Sequence, residues 1–233
     1  MNKRFHKELD GIKKMILSLG ALVEDRVRLA TNAIVSCDSE LASTVIKSDF
    51  EVDEAEVEIE EECLKILALY QPVAVDLRFI IAVIKINNDL ERIGDQAVNI
   101  AERVMTMAKE RQACTYFFDY SVMVENVKVM LKQSLDALVN MDVDLAIDVC
   151  RKDDDVDRIK HEAYRSIKQI MKEHPEQLSY LINLFLISRH LERLADHTTN
   201  IAEEVIYMIE GEIVRHGTKV LEKLNVKSKD TGR

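Results

Sequence analysis

Four pairs of acidic residues in this chain are spaced by four: Asp49 and Asp53, Glu91 and Asp95, Asp153 and Asp157, Glu192 and Asp196. On a helix, residues at i and i+4 lie one above the other, so each pair would show both carboxylates on one face. Like charges at that spacing repel by roughly 0.2–0.5 kcal/mol per pair. A bound cation would reverse the sign of that term. Asn99 and Asn200 continue two of the stripes, and Glu102 and Glu203 follow them as candidate neighbouring groups. Carboxylate and amide oxygens suit hard cations such as Mg²⁺, Ca²⁺, Mn²⁺ or iron. The alternative is a solvated acidic face, the ordinary reading of any single isolated pair. Arg92 and Arg193 sit inside two of the stripes. They are either surface ion pairs with nearby acids, each worth little, or contacts for an acidic partner.

The stripes need helices to position them, and the apolar pattern predicts helices throughout. Leu9, Ile12, Ile16, Leu19, Val23, Val27, Ala30 and Ile34 recur every three or four residues within a segment from about Phe5 to Val35. Asp38 is a plausible N-cap for a second helix, which carries Val45, Val52, Ile59 and Ile66 at a spacing of seven and stops near Pro72. A third runs from about Val75 to Met107 with Leu90, Ile93, Ala97, Ile100 and Val104 inward. After a connector from about Ala108 to Asp119 the pattern restarts, with Asp142 in the part of Asp38 and Pro175 in that of Pro72. An offset of 104 carries Val45, Val52, Ile59 and Ile66 onto Val149, Val156, Ala163 and Ile170. An offset of 101 carries Leu90, Ile93, Ile100 and Val104 onto Leu191, Leu194, Ile201 and Val205. The same offsets carry the acidic stripes onto each other, so the stripes belong to the repeated unit. The expected fold is all-α: two tandem antiparallel three-helix bundles related by a pseudo-twofold, over residues 1–108 and 119–215, with a basic tail at 216–233.

Composition narrows the function classes. With 47% hydrophobic residues among 233, a sizeable core can be buried, and only 2 Pro and 6 Gly leave little material for tight turns. A formal net charge of -10 disfavours nucleic acid as a partner. The apolar runs Phe79–Ile84 and Tyr180–Ile187 fall short of the ~18 residues a membrane span needs. Cys37, Cys63, Cys114 and Cys150 include no C-x-x-C pair and read as small buried hydrophobes in a reducing compartment. A cytoplasmic, soluble protein is expected. The tail, with Lys219, Lys223, Lys227, Lys229 and Arg233, reads as a solvated end or a weak contact with an anionic membrane surface. His190 and His197 flank the second stripe, but Asp89 and Gln96 hold the matching positions in the first. They are therefore expected as polar surface histidines rather than ligands. No E-x-x-H, phosphate-binding glycine loop or Ser/His/Asp arrangement is present, so no catalytic constellation is visible.

The segments D-L-E-R-I-G-D-Q-A-V-N-I-A-E and H-L-E-R-L-A-D-H-T-T-N-I-A-E resemble the PhoU family of phosphate-transport regulators. So does the approach Q-P-V-A-V-D-L-R-F-I from Gln71 to Ile80, which the second half lacks. A role for Asp76 and Arg78 in partner contact is thus supported in one copy only. The resemblance implies two three-helix bundles, frequent dimerisation and no enzymatic activity. It implies negative regulation of high-affinity phosphate uptake and of the phosphate-starvation response. The implied partners are the ATPase subunit of the phosphate ABC transporter and a sensor histidine kinase, with any membrane association peripheral and through them. It also implies multinuclear metal binding, iron or zinc included, with manganese or magnesium as further candidates. Carried over by position, the ligands would be Asp49, Asp53, Glu91 and Asp95, then Asp153, Asp157, Glu192 and Asp196. A metal-dependent phosphohydrolase or oxidase on a helical bundle, and a purely structural helical protein, stand as the alternatives.

Overall fold

The helices stop and start where capping chemistry allows. In the computed structural model, which describes residues 3–110 and 116–214, the chain forms α1 (Lys3–Ser36), α2 (Ser39–Lys47), α3 (Phe50–Tyr70), α4 (Ala74–Glu110), α5 (Ser121–Asn140), α6 (Val143–Glu173) and α7 (Leu178–Glu210). Asp38 caps α2 by accepting the N–H groups of Glu40 at 2.8 Å and Leu41 at 3.1 Å. Asp142 caps α6 through the Leu145 N–H at 3.0 Å. α3 ends at Tyr70, before Pro72, with Gln71 in the left-handed region at φ 47°. α6 ends at Glu173, and Pro175 opens a short 3₁₀ turn before α7. Cys114 lies outside the described residues, as does the basic tail.

One element differs from expectation. The second predicted helix is two helices, α2 and α3, broken at Ser48 and Asp49, whereas its counterpart α6 runs unbroken through the equivalent Lys152 and Asp153. At the break, Ser48 Oγ donates back to the Thr44 carbonyl at 2.9 Å and lies 3.1 Å from that of Val45. Such local bonds compete with the helical ladder.

α4 and α7 pack on each other more extensively than any other pair. α1, α2 and α3 surround α4, and α5 and α6 surround α7. α1 also reaches α5 across the repeats. That crossing is close at Gly20, where an added Cβ would lie 2.9 Å from a Leu135 methyl. The apolar seams expected in α1, α3, α4 and α7 are buried, and with those of α5 and α6 they form a core continuous through both repeats. Ile170, at the end of the α6 seam, is only partly buried. Among the cysteines, Cys63 is buried, while Cys37 and Cys150 are half-buried free thiols.

Candidate functional site

In the first repeat, the break before α3 leaves Asp49 half-buried at the start of the helix, with Asp53 one turn on. Glu91 and Asp95 rise from the facing side of α4. The Asp49 carboxyl is raised above its ordinary range by lost hydration, then by the charges of Asp53 and Asp95, with Arg26 opposing. Glu91 is raised by lost hydration and by Asp95, with Glu56 and Asp53 adding to it and Arg92 opposing. The four predicted ligands of this repeat therefore act on one another across two helices. Glu91 Oε2 is buried without a hydrogen-bond donor. Its one ion pair, to Arg92 Nε, is long at 3.5 Å, and Arg92 also stands 3.8 Å from Asp95.

The second repeat brings Asp153, Asp157, Glu192 and Asp196 together in the same way. Asp153 is pushed up to about 6, first by burial and then by Asp196, Asp157, Asp154 and Glu192. Asp196, on the solvent side, is raised by desolvation, Glu192 and Asp157. A cation of the protein's own stands among them: Lys160 Nζ lies 2.8 Å from Glu192 and 3.7 Å from Asp157. The position equivalent to Lys160 in the first repeat is Glu56. The charge reversal was readable at the offset of 104, but nothing in the sequence shows that Lys160 turns inward to Glu192.

The two ridges thus fit a metal unequally. The first offers carboxylate oxygens from both helices and a buried oxygen lacking a donor, a set suited to a hard cation. The second has an ammonium in place. As the side chains stand, no group of three or more His, Cys, Asp or Glu among the described residues is gathered tightly enough to hold an ion. Of the neighbouring candidates, Asn99 is half-buried, while Asn200 is exposed and donates to Asp89 at 3.1 Å. Glu102 is exposed beside Arg103 at 3.1 Å. Glu203 lines a cleft of about 490 Å³ with Glu56, Glu60, Lys85 and Asp89. Arg193 is exposed. Asp76 borders an apolar groove beside Lys13 and Phe79, and Arg78 lies within 3.5 Å of a Cβ built on Gly211, at the end of α7.

The histidines depart from expectation. His190 and His197 are half-buried and join the repeats: His190 Nδ1 is 3.0 Å from Gln96 Oε1 and His197 Nδ1 is 2.9 Å from Asp89 Oδ1. Because Asp89 and Gln96 are their own repeat equivalents, the two pairs are exchanged by the pseudo-twofold that passes between α4 and α7. The unequal residue types at these matching positions are thus complementary halves of one symmetric arrangement. His190 is lowered to about 4, chiefly by burial and then by Arg103, Arg193 and Arg189, which keeps its ring neutral at physiological pH.

The raised Asp153 carries a stability consequence. Its folded value, about 6, lies above the ordinary 3.8 of an aspartate, so its ionisation opposes folding. The penalty is absent below the lower value and complete above the higher one. Asp153→Asn is expected to stabilise the metal-free protein by ~1–2 kcal/mol at pH 7.5, allowing for partial solvation. The gain should fade as pH falls from 6 towards 4. Urea denaturation across that range in chelator-treated buffer checks it.

A duplicated helical unit, with acidic pairs facing each other across α3 and α4 and again across α6 and α7, defines an all-helical protein built on an internal repeat. The model of the PhoU domain matches residues 16–104 and again 120–205, and the chain belongs to that family. A protein of Pseudomonas aeruginosa described as a phosphate-specific transport system accessory protein PhoU homolog is 39% identical over 93% of this chain and 89% of its own length. The Aquifex aeolicus protein of the same description is 41% identical over 91% of this chain and 96% of its own. The crystal structure of PhoU from Pseudomonas aeruginosa superposes with a TM-score of 0.86, covering 89% of this chain and 100% of that one. That of the phosphate transport system regulatory protein PhoU from Streptococcus pneumoniae gives 0.83 at 32% identity, covering 90% and 99%.

Proposed function

We propose that this protein is an accessory regulator of phosphate-specific transport, without enzymatic activity of its own, that restrains high-affinity uptake and the phosphate-starvation response. The observation that carries the reading is the E-R-x-x-D-x-x-x-N-I-A-E ridge, repeated on α4 and α7 in a chain of this family. Relatives described as accessory to a phosphate-specific transport system support the coarser role. The finer reading is an adaptor on the cytoplasmic side, between the transporter's ATPase subunit and a sensor histidine kinase. In this reading any membrane attachment is through those partners; no helix among the described residues is long and apolar enough to cross a membrane.

In this reading the first ridge holds a metal ion through Asp49, Asp53, Glu91 and Asp95, and the ion neutralises their mutual repulsion. The chain's own residues set the rest. Asp49, at the start of α3, is within electrostatic reach of Asp95 on α4, while Lys160 supplies the second ridge with an internal counter-charge. Glu91→Ala with Asp95→Ala is expected to remove most bound Mn²⁺, read by titration and elemental analysis, while helicity is retained. The matching changes at Glu192 and Asp196 should remove little. In cells lacking their own copy, the first variant should fail to repress a phosphate-starvation reporter. Full repression by that variant would sink the regulatory role of the metal.

A further inference from the structure

The outward face of α3 carries large apolar residues at a spacing of seven. Phe50 is 55% exposed, Val57 52% and Leu64 53%. Seven residues are nearly two helical turns, so the three side chains form one stripe along the helix. Asp53 and Glu60 flank the stripe on one side, and Glu54 and Glu61 on the other, all four exposed. α3 as a whole carries eight acids against one base, Lys65.

The fold contains its own control for this face. The equivalent positions on α6 are Asp154, His161 and Lys168, all exposed. The repeated unit therefore does not need apolar side chains there, and those of α3 are unaccounted for by packing among the described residues. An exposed apolar stripe rimmed by charge is the pattern of an interaction surface. Its occupant must bury apolar residues at the same period and bring positive charge to both rims. A second copy docking α3 on α3 would set acids against acids, which disfavours self-pairing.

We propose that the α3 stripe of Phe50, Val57 and Leu64 is a docking surface for a basic amphipathic helix of a partner protein. It deepens the adaptor reading above by naming the side of the molecule that meets the partner. The probe is a labelled synthetic helix with leucines at a spacing of seven and Lys or Arg on both flanks, titrated with the full-length protein and read by fluorescence anisotropy. The variant is Phe50→Asp, Val57→His and Leu64→Lys, which installs the residue types of α6 and leaves the formal net charge unchanged.

The variant should keep its circular dichroism and melting temperature and bind the peptide at least tenfold more weakly. A scrambled peptide of equal charge should also bind at least tenfold more weakly, and raised salt should weaken the wild-type complex. Equal binding by the variant or by the scrambled peptide overturns the proposal. So does sedimentation showing a wild-type dimer that the variant dissolves, because the face would then serve a second copy. None of these measurements involves phosphate signalling, so a failure here removes the docking surface alone. Loss of reporter repression in the metal-ridge variant bears only on the regulatory reading.

Discussion

Lys85→Met is expected to destabilise the protein by about 2–3 kcal/mol. Lys85 Nζ lies 3.2 and 3.0 Å from the two carboxylate oxygens of Glu204, joining α4 of one repeat to α7 of the other. Glu204 is 3% exposed and Lys85 37%, so the carboxylate depends on protein groups for solvation while the ammonium still meets water. The ammonium also sits 5.2 Å from the centre of the Tyr207 ring. Losing one partner of a buried pair costs more than the pair contributes, because the remaining charge keeps its desolvation penalty. The partial exposure of Lys85 and a further polar contact of Glu204 bring the figure below the ~3–5 kcal/mol of a fully buried pair. Glu204→Leu added to Lys85→Met should recover most of the loss. Urea unfolding of the double-mutant cycle checks this, and a single-variant cost under about 0.5 kcal/mol would contradict it.

Leu90→Ala and Leu191→Ala should each cost about 2–5 kcal/mol, the range for truncating a fully buried leucine. The two are repeat equivalents on α4 and α7, and both are 0% exposed. The sharper expectation concerns cooperativity. The core runs without a gap through both repeats, and the interface between α4 and α7 is the most extensive helix pairing. Either truncation should lower one shared unfolding transition by a similar amount. Calorimetry showing two transitions, each moved by only one of the variants, would mean that the repeats fold as independent bundles despite their common core.

Much of the fold was legible because it rests on local rules. Asp38 and Asp142 cap where their type and position suggested, the chain turns before Pro72 and at Pro175, and Leu9 through Ile34 are buried on the face their period marks. Periodicity did not show the break at Ser48, where the side chain bonds back to the preceding turn. The seam itself was right, as Val45 and Val52 on either side of the break are both buried.

The candidate site divides along the same line. That Asp49, Asp53, Glu91 and Asp95 share a repeated pattern with Asp153, Asp157, Glu192 and Asp196 follows from residue type and spacing, since helix geometry turns a separation of four into a common face. Which helices face each other is a matter of packing. Only the assembled bundle set Lys160 against Glu192 but Glu56 near Glu91, and so made two ridges alike in acids unlike in charge. Only the antiparallel docking of α4 on α7 turned His190 and His197 from expected surface groups into partners of Gln96 and Asp89. Spacing along one helix is encoded locally, whereas distance between helices is set by the apolar core that presses them together.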